Sequence, residues 1–224
     1  SLNMAMKFKR ILAAFLSVLC LASCEEFLTE DPTTSLSEGT VYSNEANLEA
    51  GVIGVYWSLK TSNYSWTTQM SEFCSFPSIL IHWKDNRTAE NYIQSLRLSM
   101  FPHSAENQGL YDYLYASIYK CNKMIEAMSI SPVDQTYKNE IEGEVKFIRA
   151  WQYFAAVRFW GDIPLILNTP KNIDETDAPR VHYMEVYKQI LSDLEYAEQN
   201  MRTPERVAEV GGMTGRPNKW AATA

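Results

Sequence analysis

The sequence contains few of the residues from which metal sites and covalent active sites are built. Its only histidines are His82, His103 and His182, and none lies in an H-E-x-x-H frame or beside a cysteine pair at zinc spacing. No G-x-S-x-G elbow, Walker loop or dinucleotide fingerprint occurs. The sequence therefore predicts a protein that is not an enzyme and that holds no metal or cofactor.

Positive charge is scarce as well. The chain carries 20 basic against 27 acidic residues, and three of the basic ones, Lys7, Lys9 and Arg10, precede residue 24. This balance argues against a nucleic-acid partner, because phosphate contacts need clustered lysine and arginine. The apolar run Ile11 to Ala22 has about a dozen residues, which is too short to span a membrane as a helix.

The first two dozen residues read as a targeting segment, with a positive start, the apolar run and small residues before a cysteine. Leu21-Ala22-Ser23-Cys24 resembles the lipobox of bacterial lipoproteins. We therefore predict a signal peptide over 1–23 and lipidation of Cys24, which would anchor the chain to a membrane surface. The alternative is an ordinary signal peptide with an incidental cysteine. Glu25 and Glu26 resemble the surface-export signal of Bacteroides-type lipoproteins.

The mature chain divides into a tether over 24–42, without helical period, and a helical body over 43–224. Apolar spacing predicts helices over about 43–59, 108–128, most of 140–165, and 183–201. Gly51 and Gly54 in the first helix suggest close approach to a neighbouring helix. The chain starts a further helix at Trp220 to Ala224, and we expect it to be cut there and to be poorly soluble or marginally stable.

The stretch 140–165 predicts a central helix followed by an abrupt stop. Two adjoining apolar stripes, Ile141-Val145-Ile148-Ala155-Phe159 and Phe147-Trp151-Phe154-Val157, predict packing between layers. Glu140, Glu142 and Glu144 are interpreted as charge at the N-terminus of this helix. Gly161 is predicted as the C-cap, and Pro164 prevents the helix from resuming. Arg149 and Asp162 are a candidate buried ion pair that fixes the helix end.

Residues 60–104 have no helical period but carry many aromatic rings, including Trp66 and Trp83. A loop of this length is usually functional, which makes it the candidate for ligand contact. Tyr111, Tyr115 and Tyr119 form an aromatic stripe on the next helix, which we interpret as interhelical packing rather than a ligand site. The mature cysteines Cys74 and Cys121 could pair, but we favour two free, buried thiols.

Successive helices joined by short turns predict a mainly all-α fold of TPR-like helical pairs with a long irregular excursion. Ala150-x-x-x-Phe154 with Pro164 beyond the helix end matches part of the tetratricopeptide pattern. No full consensus for the first helix of a repeat is present. Periodicity alone therefore supports a helical array or bundle.

A more specific resemblance rests on five blocks in order. They are Cys24 with Phe27-Leu28 and Pro32, NLEAGVIGVYWSLK at 47–60, EVKFIRAWQYFAAVRFWGDIPLI from Glu144, VYKQILSDLEYAEQNM from Val186, and GRPNKWAATA from Gly215. Together they resemble the SusD/RagB family of outer-membrane nutrient-binding lipoproteins, over its N-terminal portion. The block most typical of the family contains Glu144, Arg149, Tyr153, Gly161, Asp162 and Pro164.

The resemblance implies a non-catalytic lipoprotein of the outer membrane that binds oligosaccharides, or in some members peptides, and passes them to a TonB-dependent, SusC-like transporter. It also implies an arc of aromatic rings that stack on sugars, one of them from the segment ahead of the second long helix. Trp83 is the first candidate for that ring and Trp66 the second, and packing of Trp83 in the core or within the loop is the alternative. A different function class also stays open, a membrane-anchored TPR-type scaffold for protein interaction without ligand binding.

Overall fold

The computed structural model describes residues 42–59, 105–172, 175, 177–210 and 215–224. All of them fall within one compact unit, Glu38–Ala224. The predicted signal peptide, Cys24, the tether as far as residue 41 and the whole 60–104 excursion lie outside the described residues, and so do Trp66, Cys74 and Trp83. Those predictions therefore stay predictions.

The described part of the chain is mainly helical, as the sequence predicts. In chain order the elements are α1 (Glu45–Ser58), α2 (Ala105–Ile130), α3 (Gln135–Trp160), β1 (Ile163–Pro164), β2 (Arg180–Val181), α4 (Tyr183–Asn200), α5 (Pro204–Glu209) and α6 (Lys219–Thr223). The four long helices are those that apolar spacing predicts. The short helix α5 is not among the helices that apolar spacing predicts, and it begins with Thr203 as N-cap and Pro204 in its first turn.

The helix α3 begins five residues before Glu140, where the sequence suggested its start. Asp134 is the N-cap, and its carboxylate accepts hydrogen bonds from the backbone N–H groups of Thr136 at 2.9 Å and Tyr137 at 3.4 Å. The three glutamates therefore stand beyond the first turn, and their interpretation as N-terminal helix charge is wrong. Two of them, Glu140 and Glu144, pair with arginines that come later in the chain.

The helix α3 is the centre of the core and packs against both α2 and α4. Its buried face contributes to two apolar clusters. One joins Tyr153 and Ala156 to Leu114 of α2 and Ile190 of α4, and the other joins Ile141, Val145 and Ile148 to α1 and to Cys121. Cys121 is buried and its thiol is free, as predicted.

The second apolar stripe of α3 is only partly covered, which differs from the predicted packing between layers. Trp151 is 42% exposed and Phe154 39% exposed, and Leu191 of α4 beside them is 58% exposed. These side chains line an apolar groove that Ala221 and Ala222 of α6 also border. Among the described residues, one face of α3 is therefore core and the adjoining face is an open groove.

The stop after α3 forms as predicted. Gly161 caps the helix with φ of 67°, a left-handed conformation that favours glycine, and its N–H donates to the Val157 carbonyl oxygen at 2.9 Å. The chain then enters β1, which pairs antiparallel with β2 through Ile163 opposite Val181 and Pro164 opposite Arg180. The pair of strands β1 and β2, which we call the hairpin, places Arg180 beside the end of α3.

The glycines of α1 and α3 differ in the space around them, and this gives a prediction. A Cβ on Gly143 would lie 3.1 Å from the backbone nitrogen of Met201, whereas a Cβ on Gly54 would have no atom within 4 Å. We expect Gly143→Ala to lower the free energy of unfolding by about 1–3 kcal/mol, because the backbone at Met201 must shift to make room for the added methyl group. Gly54→Ala, the matched control, should raise it by up to about 1 kcal/mol through helix propensity.

Urea unfolding of both variants beside the wild type measures these changes. A Gly143→Ala protein as stable as the wild type would contradict close packing of α3 on the end of α4. Gly51 does meet a neighbour, since a Cβ there would lie 2.7 Å from the Met124 sulfur. The expectation of close approach therefore holds for Gly51 and is wrong for Gly54.

Candidate functional site

Arg149 joins three helices through a buried set of hydrogen bonds. Its side chain is 5% exposed, and it donates from Nε and Nη2 to the two carboxylate oxygens of Asp193 on α4, at 2.8 and 2.7 Å. Its Nη1 donates to Asn122 Oδ1 on α2 at 2.9 Å. Burial alone would lower the pKa of Arg149, but the Asp193 carboxylate outweighs burial and raises it. The arginine is therefore a charged strut inside the helical core.

The predicted ion pair between Arg149 and Asp162 is wrong. Asp162 is exposed and accepts a hydrogen bond from the backbone N–H of Tyr183 at 2.8 Å, at the start of α4. The reason is distance along the helix, because the dozen residues between Arg149 and Gly161 rise roughly 18 Å. Asp162 thus fixes the hairpin to α4, while Arg149 holds the middle of the bundle.

Tyr153 holds the chain that follows β1. Its ring is fully buried, and its hydroxyl donates to the Ile166 carbonyl oxygen at 2.6 Å and accepts from the Ile166 N–H at 2.8 Å. Asn122 Nδ2 donates to the same carbonyl oxygen at 2.9 Å. The signature residues Arg149, Tyr153, Gly161, Asp162 and Pro164 therefore hold α3 to its neighbouring helices and to the chain that follows it.

Glu144, the remaining signature residue, belongs to a second charged network, the acid–arginine cluster. It consists of Glu49, Glu140, Glu144, Arg202 and Arg216. Arg216 donates from Nε to Glu144 at 2.7 Å and from Nη1 to Glu49, while Arg202 donates to Glu140 at 2.8 Å and to Glu49 at 2.6 Å. Tyr56 Oη donates to Glu144 as well. The cluster ties the chain after α4 to α1 and α3.

This cluster gives a prediction about acid stability. Burial alone would raise the pKa of Glu49, but hydrogen bonds from Arg216, Tyr137 and Arg202 outweigh it and hold the pKa below the ordinary value of 4.5. A carboxyl with a depressed folded-state pKa stabilises the fold above its unfolded-state pKa, and the contribution is lost as the pH falls through the folded-state pKa. We expect the unfolding free energy to fall with decreasing pH below about 4.5, and to fall less steeply in Glu49→Gln. Urea unfolding over a pH series measures both slopes, and equal slopes would contradict the assignment.

Unlike the acid–arginine cluster, which consists of charged groups alone, a concave surface at the start of α2 and the end of α3 is lined by aromatic and polar side chains. We call it the hairpin cleft; it has a volume of about 470 Å³ and is lined by Asn107, Gln108, Tyr111, Trp160, Asp162, Ile163, Pro164 and Arg180. Trp160 Nε1 donates to Asn107 Oδ1 at 2.9 Å. The Tyr111 and Trp160 rings meet edge to face with centroids 5.3 Å apart. The cleft thus combines fixed aromatic rings with amide, carboxylate and guanidinium groups.

The tyrosine stripe of α2 packs only in part. Tyr111 stacks at 4.4 Å between ring centroids on Tyr115, whose hydroxyl donates to the Pro164 carbonyl oxygen at 2.7 Å. Tyr119 is 45% exposed and is not interhelical packing. The interpretation of the stripe as packing therefore holds for Tyr115 and partly for Tyr111, which also lines the cleft.

Sequence reasoning did not find most of these groups. Trp160 and Arg180 of the cleft, and Glu49, Arg202 and Arg216 of the cluster, carried no local signal, because their partners are distant along the chain. Within the described ranges, no group of three or more His, Cys, Asp and Glu side chains is placed to hold a metal ion. No helix of the described ranges is long and apolar enough to cross a membrane.

Paired helices around the buried Arg149, with the β1–β2 pair and an aromatic cleft at the end of α3, make up the described scaffold. The family profile described as "Starch-binding associating with outer membrane" matches residues 26–224. The chain belongs to this SusD-like family, and the family is associated with the outer membrane. The resemblance that the sequence blocks indicate is confirmed.

Several relatives are similar over nearly the whole chain. SusD-like protein P25 of Formosa agariphila is 28% identical over 97% of this chain and 42% of that protein. A SusD-like protein of Bacteroides ovatus is 24% identical over 97% of this chain and 38% of that protein. The chain thus spans less than half the length of these relatives.

Solved structures show the same fold. A SusD-like protein from Bacteroides fragilis superposes with a TM-score of 0.67 at 24% identity, over 82% of this chain and 34% of that one. A laminarin-binding SusD-like protein superposes with a TM-score of 0.67 at 21% identity, over 81% of this chain and 38% of that one. The predicted mainly helical fold of TPR-like pairs is confirmed.

Proposed function

We propose that this chain is the N-terminal portion of a surface lipoprotein that binds oligosaccharides without chemical change and delivers them to a TonB-dependent outer-membrane transporter. The observation that carries the proposal is the match of residues 26–224 to a family described as starch-binding. The structural likeness to a laminarin-binding protein supports a glycan rather than a peptide as ligand. The buried charged groups of the described core support binding without chemical change, because Arg149 pairs with Asp193 and Arg216 pairs with Glu144.

Transporter delivery is tested by co-purification. We expect the protein, extracted from outer membranes in mild detergent, to retain a β-barrel transporter of the TonB-dependent class. Capture of soluble protein partners without such a barrel would contradict delivery and favour the anchored TPR-type scaffold instead.

The lipid anchor is tested at Cys24. We expect Cys24→Ser to abolish incorporation of labelled palmitate and to release the protein from the membrane fraction, because acyl chains supply the membrane affinity. Cys20→Ser, a cysteine within the proposed signal peptide, is the matched control and should stay membrane-bound. Labelling that persists in Cys24→Ser would contradict the anchor.

We also propose that Trp83, and after it Trp66, offers a ring to the glycan, since an indole face stacks on the apolar face of a sugar. Affinity electrophoresis in gels that contain soluble starch or laminarin compares Trp83→Ala and Trp66→Ala with the wild type. Trp220→Ala, which alters a tryptophan that is 60% exposed on α6, is the control. Unchanged retardation of both variants would contradict these two assignments.

A further inference from the structure

We infer that the hairpin cleft is a glycan subsite in its own right, in which Tyr111 and Trp160 supply apolar ring surface and Gln108 and Arg180 donate hydrogen bonds to sugar hydroxyls. The inference rests on the proposed function, and it adds a specific location for glycan binding among the described residues. Sugars combine apolar C–H faces with a rim of hydroxyls, so a site for them needs flat rings beside polar planar groups.

The ring surface is held in place before any ligand arrives. Tyr111 is fixed between Tyr115 at 4.4 Å and Trp160 at 5.3 Å, measured between ring centroids. Trp160 is oriented by its hydrogen bond to Asn107. Both rings are half-buried, so each keeps part of its surface exposed at the cleft. Rings that are already ordered lose little conformational entropy on binding, which favours affinity.

The polar groups of the cleft are available, unlike those of the core. Arg149, Arg202 and Arg216 each face a carboxylate. Arg180 is exposed and makes no ion pair with any residue in the described ranges, and its backbone is fixed opposite Pro164 in the hairpin. Gln108 is exposed on the first turns of α2. A guanidinium and an amide can each donate two hydrogen bonds in a plane, which suits adjacent sugar hydroxyls.

Two other concave surfaces of the described chain fit a glycan less well. The larger, of about 950 Å³, includes Glu126, but its carboxylate already accepts hydrogen bonds from the backbone N–H and hydroxyl of Thr169. The apolar groove beside Trp151 and Phe154 offers rings with few polar partners. Rings and uncommitted planar donors coincide in the hairpin cleft.

The chemistry of the cleft points to a neutral oligosaccharide. Its volume of about 470 Å³ lies within the range of about 300–1,000 Å³ that is typical of small-molecule sites. It therefore suits a short stretch of a glycan chain rather than a folded partner. Asp162 contributes an acceptor, because Tyr183 N–H occupies only its Oδ1. The lining carries one acidic group, Asp162, and one basic group, Arg180, so its formal charges cancel and favour neither an anionic nor a cationic sugar.

The first test is affinity electrophoresis of the purified protein in soluble starch and in laminarin. One of the two gels should retard the wild type. In that gel we expect the double variant Gln108→Ala/Arg180→Ala to bind the polysaccharide about tenfold more weakly, which corresponds to about 1.4 kcal/mol of binding free energy. Both side chains are exposed, so the fold should persist. The matched control is Arg158→Ala, which removes an exposed arginine of α3 that lies outside the cleft, and it should match the wild type.

The second measurement is an NMR titration that follows a residue of the cleft itself. The indole N–H resonance of Trp160, assigned by its loss in Trp160→Phe, is followed during titration with maltohexaose and with laminarihexaose. We expect one of the two to shift it. Wild-type retardation with neither a variant effect nor a Trp160 shift would overturn the subsite and leave the proposed function standing. A wild type that is not retarded, with an unmoved Trp160 resonance, would contradict both.

Discussion

Replacing Arg149 by methionine is expected to lower the free energy of unfolding by about 3–5 kcal/mol. The change leaves Asp193, whose side chain is 2% exposed, as a buried carboxylate without its cation. It also removes the donor to Asn122 Oδ1. An uncompensated buried charge costs far more than a lost surface pair, so the three helices α2, α3 and α4 lose the group that joins them.

Two further variants make this prediction specific. Arg149→Met/Asp193→Leu removes both charges and should recover most of the lost stability, because apolar side chains can replace a buried pair. Lys188→Ala breaks the exposed pair with Glu185 on the same helix as Asp193 and should change stability by less than about 1 kcal/mol. Denaturant unfolding measures all of them. An Arg149→Met protein as stable as Lys188→Ala would contradict the role of Arg149 in joining α2, α3 and α4.

The second large effect is expected at Arg216. Arg216→Gln should lower the free energy of unfolding by about 3 kcal/mol or more, because Glu144 and Glu49 both lose a buried cation. The side chains of Arg216 and Glu144 are 8% and 6% exposed, so water compensates little. Because Arg216 lies between α5 and α6, the same variant should also loosen the attachment of α6 to the bundle.

The control for this prediction is Arg206→Gln, whose side chain is 41% exposed and pairs with Glu140. It should lower the free energy of unfolding far less than Arg216→Gln does, because solvent screens an exposed pair. Proteolysis followed by mass spectrometry reports whether cleavage near α6 rises in Arg216→Gln. Equal stability and equal cleavage in the two variants would contradict the role of the acid–arginine cluster in holding this part of the chain.

The helices could be predicted from the sequence because their signal is local. Apolar spacing such as Leu110-Leu114-Ile118 needs only neighbouring residues, and all of these are buried in α2. The C-cap at Gly161 is equally local. The start of α3 is harder to predict, because Gln135 to Asn139 are polar apart from Tyr137, which continues the apolar stripe one turn ahead of Ile141, and Asp134 is the cap.

The charged partners could not be predicted, because sequence gives no distance between remote residues. Arg149 pairs with Asp193, 44 residues away, rather than with the nearer Asp162. Glu144 pairs with Arg216, 72 residues away. For Arg149 helical geometry decides, since a side chain in the middle of a helix meets the neighbouring helix rather than the helix end, whereas Arg216 reaches Glu144 from the segment between α5 and α6.

The candidate site was only partly within reach of sequence reasoning. Tyr111 was recognised as part of an aromatic stripe, but its contact with Trp160 depends on how α2 and α3 cross. Arg180 reaches the cleft only because β2 pairs with β1. Trp83 and Trp66 stay predictions, and the described scaffold offers the hairpin cleft as a surface that can be tested independently of them.

Calorimetric titration with maltohexaose and with laminarihexaose determines whether this chain belongs to a glycan-binding protein. We expect saturable binding of at least one of the two, weakened in Gln108→Ala/Arg180→Ala and unchanged in Arg158→Ala. Absence of saturable heat with both oligosaccharides, in a protein whose cooperative unfolding shows that it is folded, would argue against glycan binding.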